Sequence, residues 1–443
     1  MGHSRAYEST HPYRRQTVRE VDPCLNRDLH YSRRSQPPAP PFKTEPCITG
    51  SGFADPKTRC RWHPRIFTAI GFYESKSKEE VEKHMASKSA FTKFVALTRS
   101  RGWAAFCLAL WLLGLGLSAS AREATFVEFD VPGSACEARF PFCTTPVAIN
   151  PAGAVTGYYA DSNAALHGFL RAPDGTFTTF DPPGSLSTAP VGINPAGAIT
   201  GYYCDAVTCH GFLRTPDGTL TPFDPPGSVL TQSFSGGINP AGAITGTWYD
   251  AVNFLAHGFL RAPDGAFTVF DAPGAVNGTT PTAINPAGAI TGVYYDANFV
   301  SHGFLRALNG AISTFDPPGS AFTGVNAIDP AGTVAGFYYD ASAHPHGFLR
   351  ARDGTLTTFD VPGAVGTAAT SISPSGAITG LYSEARGSHG FLRARDGTFI
   401  TFDPPGSDEP YSFTIANGID PAGVIAGWYI DPSFLGHGFL RIP

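Results

Sequence analysis

"HGFLRAPDGTFTTFDPPGS", residues 167–185, is the stretch whose reading decides the fold. Close variants open at His210, His257, His302, His346 and His389, and a shortened one at His437. The intervals between these histidines are 43, 47, 45, 44, 43 and 48 residues. A period near that length is the mark of stacked or ringed supersecondary units. Inside the stretch, Pro173-Asp174-Gly175 reads as a three-residue hairpin loop with Gly at the left-handed position. A second turn precedes each copy, as in Asn194-Pro195-Ala196-Gly197, where an acceptor side chain, a fixed φ and a Gly suit a type I turn. Four strands follow per unit: A ending "GIN", B "AITGYY", C "HGFLRA" and D "TFTTFD".

Register can be read from the loop. Residues 173–175 between the strands pair Ala172 with Thr176, and stepping back sets Gly168 opposite Phe180 and His167 opposite Asp181. The His-to-Asp separation is 14 residues in all six internal copies: His167/Asp181, His210/Asp224, His257/Asp271, His302/Asp316, His346/Asp360 and His389/Asp403. Strand pairing demands such a constant offset, since a slip of one residue turns every side chain to the other face. The Phe ring can cover the bare Gly backbone across the ladder. Each His is therefore expected to bond its Asp as a structural tie. Seven histidines on the third strands of separate sheets do not converge on one metal or one substrate.

The ends complete the pattern. "ATFVEFD" (residues 124–130) is a lone D strand and "HGFLRIP" (residues 437–443) a lone C strand. If Asp130 pairs with His437, the two ends share a blade and shut the ring, removing exposed sheet edges. The expectation is an all-β, seven-bladed β-propeller of four-stranded antiparallel blades spanning residues 122–443.

Upstream, residues 93–121 order a basic lead (Lys93, Arg99, Arg101), an apolar run over 104–117 and a small-residue exit at Ala119-Ser120-Ala121. That is the order of a secretory signal. The chain has two methionines, Met1 and Met85. Translation from Met85 gives a signal peptide of ordinary length (85–121), and residues 1–84 read as an unstructured or mis-annotated extension. The alternative is a membrane anchor, but the run is short for a span and ends in small residues without a positive stop. The expectation is a secreted or periplasmic protein with no membrane contact after signal cleavage. From residue 122 onward there are 12 Arg, no Lys and 26 Asp plus Glu, a balance of −14. No basic surface is left to neutralise nucleic-acid phosphates. Cys136 with Cys143, and Cys204 with Cys209, are close enough to be local disulfides in an oxidising compartment, and the spacing of a zinc site is missing. No EF-hand-like calcium loop is present, and no cofactor is indicated. Asn277-Gly278-Thr279 fits a glycosylation sequon.

The repeated "INPAGAITGYYxD…HGFLR" resembles the HAF-type extracellular repeat family of bacterial secreted proteins over Thr125–Arg441, although His-Gly-Phe stands here where that family often has His-Ala-Phe. The resemblance implies an exported, propeller-like repeat protein and brings no catalytic residues. A slighter likeness of "PDGTFTTF" to the Asp-box of sialidase-type propellers fails on its leading residue and spacing.

The A–B and C–D turns fall on one side of such a ring and repeat almost verbatim. The B–C and D–A connections fall on the other and vary, which makes that rim the candidate binding face. Its non-repeated ionisable groups are Glu137, Arg139, His344, Glu384, Arg386, Asp408 and Glu409. The reading is a monomeric, non-catalytic scaffold that holds a glycan or extracellular protein there. The alternative is a secreted hydrolase or lyase at the mouth of the ring, which requires those groups to meet. Trp248 and Trp428, in "GYY"-type positions, read as core residues, with sugar stacking the alternative.

Overall fold

Short runs of Thr, Phe, Tyr and Ile separated by Pro and Gly turns become strands in every copy. The computed structural model describes residues 123–135, 143–407 and 413–443, with the side chains of 232–236 excepted. The expected extension and leader, residues 1–121, lie outside the described residues.

In the first complete blade, β2 (Thr144–Ile149), β3 (Val155–Ala160), β4 (Leu166–Arg171) and β5 (Phe177–Phe180) form an antiparallel meander in sequence order. The same A–B–C–D pattern repeats as β6–β9 (Ser187 to Phe223), β10–β13 (Ser228 to Phe270), β14–β17 (Thr279 to Phe315), β18–β21 (Phe322 to Phe359) and β22–β25 (Gly366 to Phe402). The seventh blade takes strands A to C from β26 (Phe413–Ile419), β27 (Ile425–Ile430) and β28 (Gly436–Ile442). Its D strand is β1 (Thr125–Phe129), paired antiparallel to β28 with Phe129 opposite Gly438. One parallel bridge, Ser388 to Phe413, links the sixth and seventh blades into a single hydrogen-bonded sheet. The fold is a closed seven-bladed β-propeller with its A strands packed against one another around the ring.

Turn chemistry sets the hairpins. Asn150 Oδ1 accepts from the backbone N–H of Ala152 and Ala154, and Gly153 takes φ of 81°. In the C–D turn, Gly175 at φ 92° donates its N–H to the Ala172 carbonyl. The C–D register sets Gly168 opposite Phe180. A Cβ on Gly168 would come within 2.7 Å of that ring, so only Gly lets the aromatic side chain lie flat there.

The next side chain along strand C points to the opposite sheet face. Phe169, Phe212, Phe259, Phe304, Phe348, Phe391 and Phe439 are wholly buried there. Each belongs to a core between two adjacent blades, and the core holding Phe129, Val131, Val155, Phe169 and Leu440 joins the seventh blade to the first. Burying one such ring contributes roughly 2–3 kcal/mol. The arginine of "HGFLR" adds a second connection: Arg171 lies 4.9 Å above the Phe129 ring of the preceding blade, and Arg441 5.1 Å above Phe402. Desolvation holds these guanidinium pKa values below their ordinary range. The aromatic face supplies part of the lost solvation.

A buried threonine at the start of each A strand closes the D–A corner. Where Val, Ala or Val follows the D-strand Asp, that residue's N–H donates to the hydroxyl of Thr144, Thr279 or Thr367. Where Pro follows, no N–H exists. In three of the four such blades the hydroxyls of Thr231, Thr323 and Thr414 turn instead and donate to Asp224, Asp316 and Asp403, each at 2.6 Å, while Thr188 donates to Ser185 Oγ at 3.4 Å.

Candidate functional site

At the variable-loop end of each strand C, an imidazole sits between a strand-D carboxylate and a strand-B aromatic ring, and in six of the seven blades a second carboxylate faces it. His167 Nδ1 lies 2.7 Å from Asp181 Oδ2. The corresponding distances are 2.7 Å for His210–Asp224, 2.9 Å for His257–Asp271, 2.8 Å for His302–Asp316, 2.9 Å for His346–Asp360, 2.7 Å for His389–Asp403 and 2.9 Å for His437–Asp130. A carboxylate only accepts, so Nδ1 carries the proton and donates. Nε2 faces a second carboxylate from the B–C loop, 3.1 Å away at Asp250 and 3.5–3.8 Å away at Asp161, Asp205, Asp296, Asp340 and Asp431. In the sixth blade the corresponding sequence position is Glu384. A strand-B aromatic residue stacks on each ring, from Tyr429 on His437 at 5.4 Å to Trp248 on His257 at 4.8 Å.

The electrostatics follow from this sandwich. Burial pulls the His167 imidazole down, but the hydrogen bonds and charges of Asp181 and Asp161 outweigh it, and the net shift is upward. His257 moves the same way between Asp250 and Asp271. For His437 the Asp130 hydrogen bond is the largest cause of a raised pKa, helped by the charges of Glu128 and Asp431. The Asn253 backbone N–H and the His257 ring hold Asp250 down at about 2. Tyr429, hydrogen-bonded to Glu128 in this closing blade, is pushed up, with desolvation as the main cause.

The second carboxylate also builds the loop. Asp161 Oδ1 accepts from the N–H of Asn163 and Ala165, while Ala164 turns left-handed at φ 60°. The corresponding loops place Phe254 at φ 53°, Phe299 at 60°, Ala343 at 62° and Phe434 at 62°. Every left-handed position in the A–B and C–D turns carries Gly. A bulky residue there costs roughly 1–2 kcal/mol, and strain of this kind clusters at functional positions. Burial does not offset it, because Phe254, Phe299 and Phe434 are 61%, 73% and 58% exposed. Beside them on the same face, Leu186, Val207, Val229, Val252, Val276, Tyr339 and Val365 are exposed. Only Val269, Leu308, Ile400 and Ile442 are comparably exposed elsewhere among the described residues.

This face is acidic. It carries the paired aspartates of the blades and Glu384. Arg386 is its one guanidinium among the described residues, since the "HGFLR" arginines lie over Phe rings and Arg352 and Arg395 belong to C–D turns.

Of the sequence candidates, His344 is exposed, with Nδ1 3.9 Å from Asp340. Glu384 and Arg386 are exposed at the B–C hairpin of the next blade. No ion pair joins His344 to Glu384 among the described residues. Glu137, Arg139, Asp408 and Glu409 lie outside the described residues. No cluster of His, Cys, Asp or Glu suited to a metal ion occurs among the described residues. Cys204 and Cys209 form a disulfide across the second blade's B–C loop. Cys143 is buried and disulfide-bonded; its expected partner, Cys136, lies outside the described residues. Trp248 and Trp428 are both buried, and they occupy different positions of the motif: Trp248 stacks on His257 and Trp428 packs 5.3 Å from Phe413. The sequon side chains are engaged internally, Asn277 donating to the Asp296 carbonyl and Thr279 buried against Ala272.

Sequence reasoning missed the second carboxylate, the stacked aromatic residue and the strained Phe positions. The first had a visible signal, an acidic residue closing each "GYYxD"-like run. Its distance to the His varies between copies because B–C loop lengths differ.

The fold and this rim define the class: a closed, seven-bladed propeller with one repeated face and one variable, acidic and apolar face. No family model and no curated protein matches the chain. Among solved structures, the β-propeller domain of the Trilobed protease from Pyrococcus furiosus, which has an open velcro topology, aligns with a TM-score of 0.51 at 9% identity. The alignment covers 67% of this chain and 94% of that one. Virginiamycin B lyase from Staphylococcus aureus aligns at 0.48 and 15% identity over 72% of this chain and all of that one. A streptogramin B lyase aligns at 0.47 and 14% over 74% and 100%. At 9% identity the likeness to the Trilobed protease domain shows the fold alone.

Proposed function

We propose that this chain is a secreted, non-catalytic repeat scaffold of the HAF-type extracellular family, which holds an extracellular partner on its B–C and D–A loop face. The observation that carries this reading is the asymmetry of the two faces: the repeated turns are Gly- and Asp-rich, while the varying loops display most of the exposed large apolar side chains. A concentration of exposed apolar side chains on one face of a rigid frame supports an interaction site there. The leader-like segment before residue 122 and the Cys204–Cys209 disulfide support export to an oxidising compartment. The exposed aromatic residues are chiefly Phe, which lacks the polar handle that Tyr and Trp bring to sugar recognition. That favours a polypeptide over a glycan.

The test compares two residues of equal exposure on opposite faces. Phe299 and Leu308 are each 73% exposed. The full chain is probed against a glycan array and a panel of extracellular proteins. Binding should be lost in Phe299→Ser and retained in Leu308→Ser. Equal retention in both variants would remove the variable face from consideration.

A further inference from the structure

Three independent features of the variable face bear on the chemistry of its occupant, and the inference drawn from them rests on the reading of that face as the binding surface. The first is charge. Two rings of carboxylates, one from strand-D ends and one from B–C loops, surround half-exposed imidazoles, with Arg386 the only guanidinium on this side among the described residues. The second is exposed apolar surface between those carboxylates, led by Phe254, Phe299, Phe434, Val207 and Val252. The third is backbone conformation: the same chain that places Gly at the left-handed positions of its other hairpin turns places Phe at three on this rim. The rim Phe side chains are therefore placed against local preference with more than half of their surface left open to solvent, although Phe254 also stacks on Tyr249 at 4.9 Å.

We propose that the occupant of this face is a cationic polypeptide segment bearing apolar side chains. Its Lys or Arg groups meet the carboxylate rings, and its apolar side chains cover Phe254, Phe299 and Phe434. A segment carrying both kinds of side chain matches a face that carries both carboxylates and exposed hydrocarbon. An anionic surface, whether acidic lipid or nucleic acid, is repelled by the same charge. A neutral glycan leaves the carboxylates without counter-charge.

The experiment titrates the full chain against three labelled peptides by fluorescence anisotropy: one of repeated Lys-Leu, one of repeated Glu-Leu and one of repeated Lys-Gly. The Lys-Leu peptide should bind, Lys-Gly should bind more weakly, and Glu-Leu should not bind. Added salt should weaken the Lys-Leu complex, since exposed charges are screened. The variant Phe254→Gly/Phe299→Gly/Phe434→Gly should lose affinity for Lys-Leu by about tenfold or more, as rim anchors do. Its melting temperature should be equal or higher, because Gly adopts these φ values without strain. The single variant Phe299→Gly provides the same readout if the triple variant expresses poorly.

Failure of Lys-Leu to bind, equal binding of Glu-Leu, or undiminished affinity in the Gly variants would overturn the proposal. So would self-association of the wild type that the triple variant abolishes, which would make a second copy of the chain the occupant. A neutral glycan or acidic protein that binds the wild type and not the triple variant would overturn the cationic class and leave the binding face standing. Ligands that bind both forms equally would overturn the face as well.

Discussion

His437 and Asp130 are 307 residues apart in sequence and 2.9 Å apart in space, Nδ1 donating to Oδ2. This contact repeats the His–Asp tie of the six internal blades with partners drawn from the two ends of the propeller. Beside it Phe129 lies over Gly438, beneath the Arg171 guanidinium of the first blade. Replacing Phe129 by Ala removes a core ring, a cross-strand contact and a cation–π contact together. The expected cost is roughly 3–5 kcal/mol. Urea unfolding measures the loss, and hydrogen exchange should show it first as weakened protection of the β28 amides that face β1. A cost below that of an ordinary surface substitution would mean that β1 is not the seventh D strand.

Gly168 provides a sharper test of register. Alanine is normally the better strand residue, yet its Cβ at this position would press to 2.7 Å from the Phe180 ring. Gly168→Ala should destabilise by roughly 1–3 kcal/mol through forced displacement of the ring. The double change Gly168→Ala/Phe180→Leu should recover part of the loss, because the flat ring is the obstacle. Circular dichroism melts of the three proteins decide the point.

Much of this architecture was legible because it follows from turn chemistry and period-2 alternation. The 14-residue offset between His167 and Asp181 fixes the hairpin, and the split repeat at the termini fixes the closure. What could not be read lies between blades, where sequence offsets carry no register. Arg171 meets Phe129 across a blade boundary, and Thr231 chooses the Asp224 carboxylate because Pro225 has no N–H to offer. Phe254 and Phe434 looked like unremarkable loop residues. Only backbone coordinates reveal that both are left-handed. The B–C carboxylates were visible as letters, but loop-length variation hid their common position at Nε2.

The imidazoles set a pH dependence. His167, His257 and His437 have raised pKa values in the folded chain, so they take up protons more readily folded than unfolded. Their contribution to stability is fully present below the ordinary value near 6.5 and is lost as pH rises through the raised one. Asp161, Asp205, Asp250, Asp296 and Asp340 are shifted down, chiefly by loop N–H groups. Their contribution is present above the ordinary value of 3.8 and disappears as pH falls through the lowered one. Melting temperature should therefore rise modestly from pH 8 to pH 6 and fall steeply below pH 4. His257→Gln should reduce the upper limb by one imidazole's share and slightly weaken the acid limb, because the His257 ring helps hold Asp250 down. A proton-detected titration of the imidazoles gives the individual values.

The last prediction concerns a latch that runs only part of the way around the ring. The buried Asn150 amide donates to the Asn194 carbonyl at 3.2 Å, Asn194 to Asn239 at 3.3 Å, Asn239 to Asn285 at 3.5 Å and Asn285 to Asp329 at 3.2 Å. Each Asn thus ties its blade to the next while its Oδ1 caps its own turn. Asp329, Ser373 and Asp420 keep the cap, accepting from Thr333, Ala377 and Val424. None of the three side chains bears an amide to continue the series. Asp329→Asn presents a donor toward the Ser373 carbonyl, and Asp420→Asn one toward the Asn150 carbonyl. Each should stabilise the fold by about 0.5–1.5 kcal/mol, the net worth of one internal hydrogen bond, and the distance between the two sites makes the gains additive. The converse change, Asn239→Asp, keeps the cap and removes the donor, so it should cost a similar amount or more. Urea midpoints of these three variants and of the double variant Asp329→Asn/Asp420→Asn measure this directly. A destabilised Asp420→Asn would show that the carboxylate is required where the seventh blade meets the first.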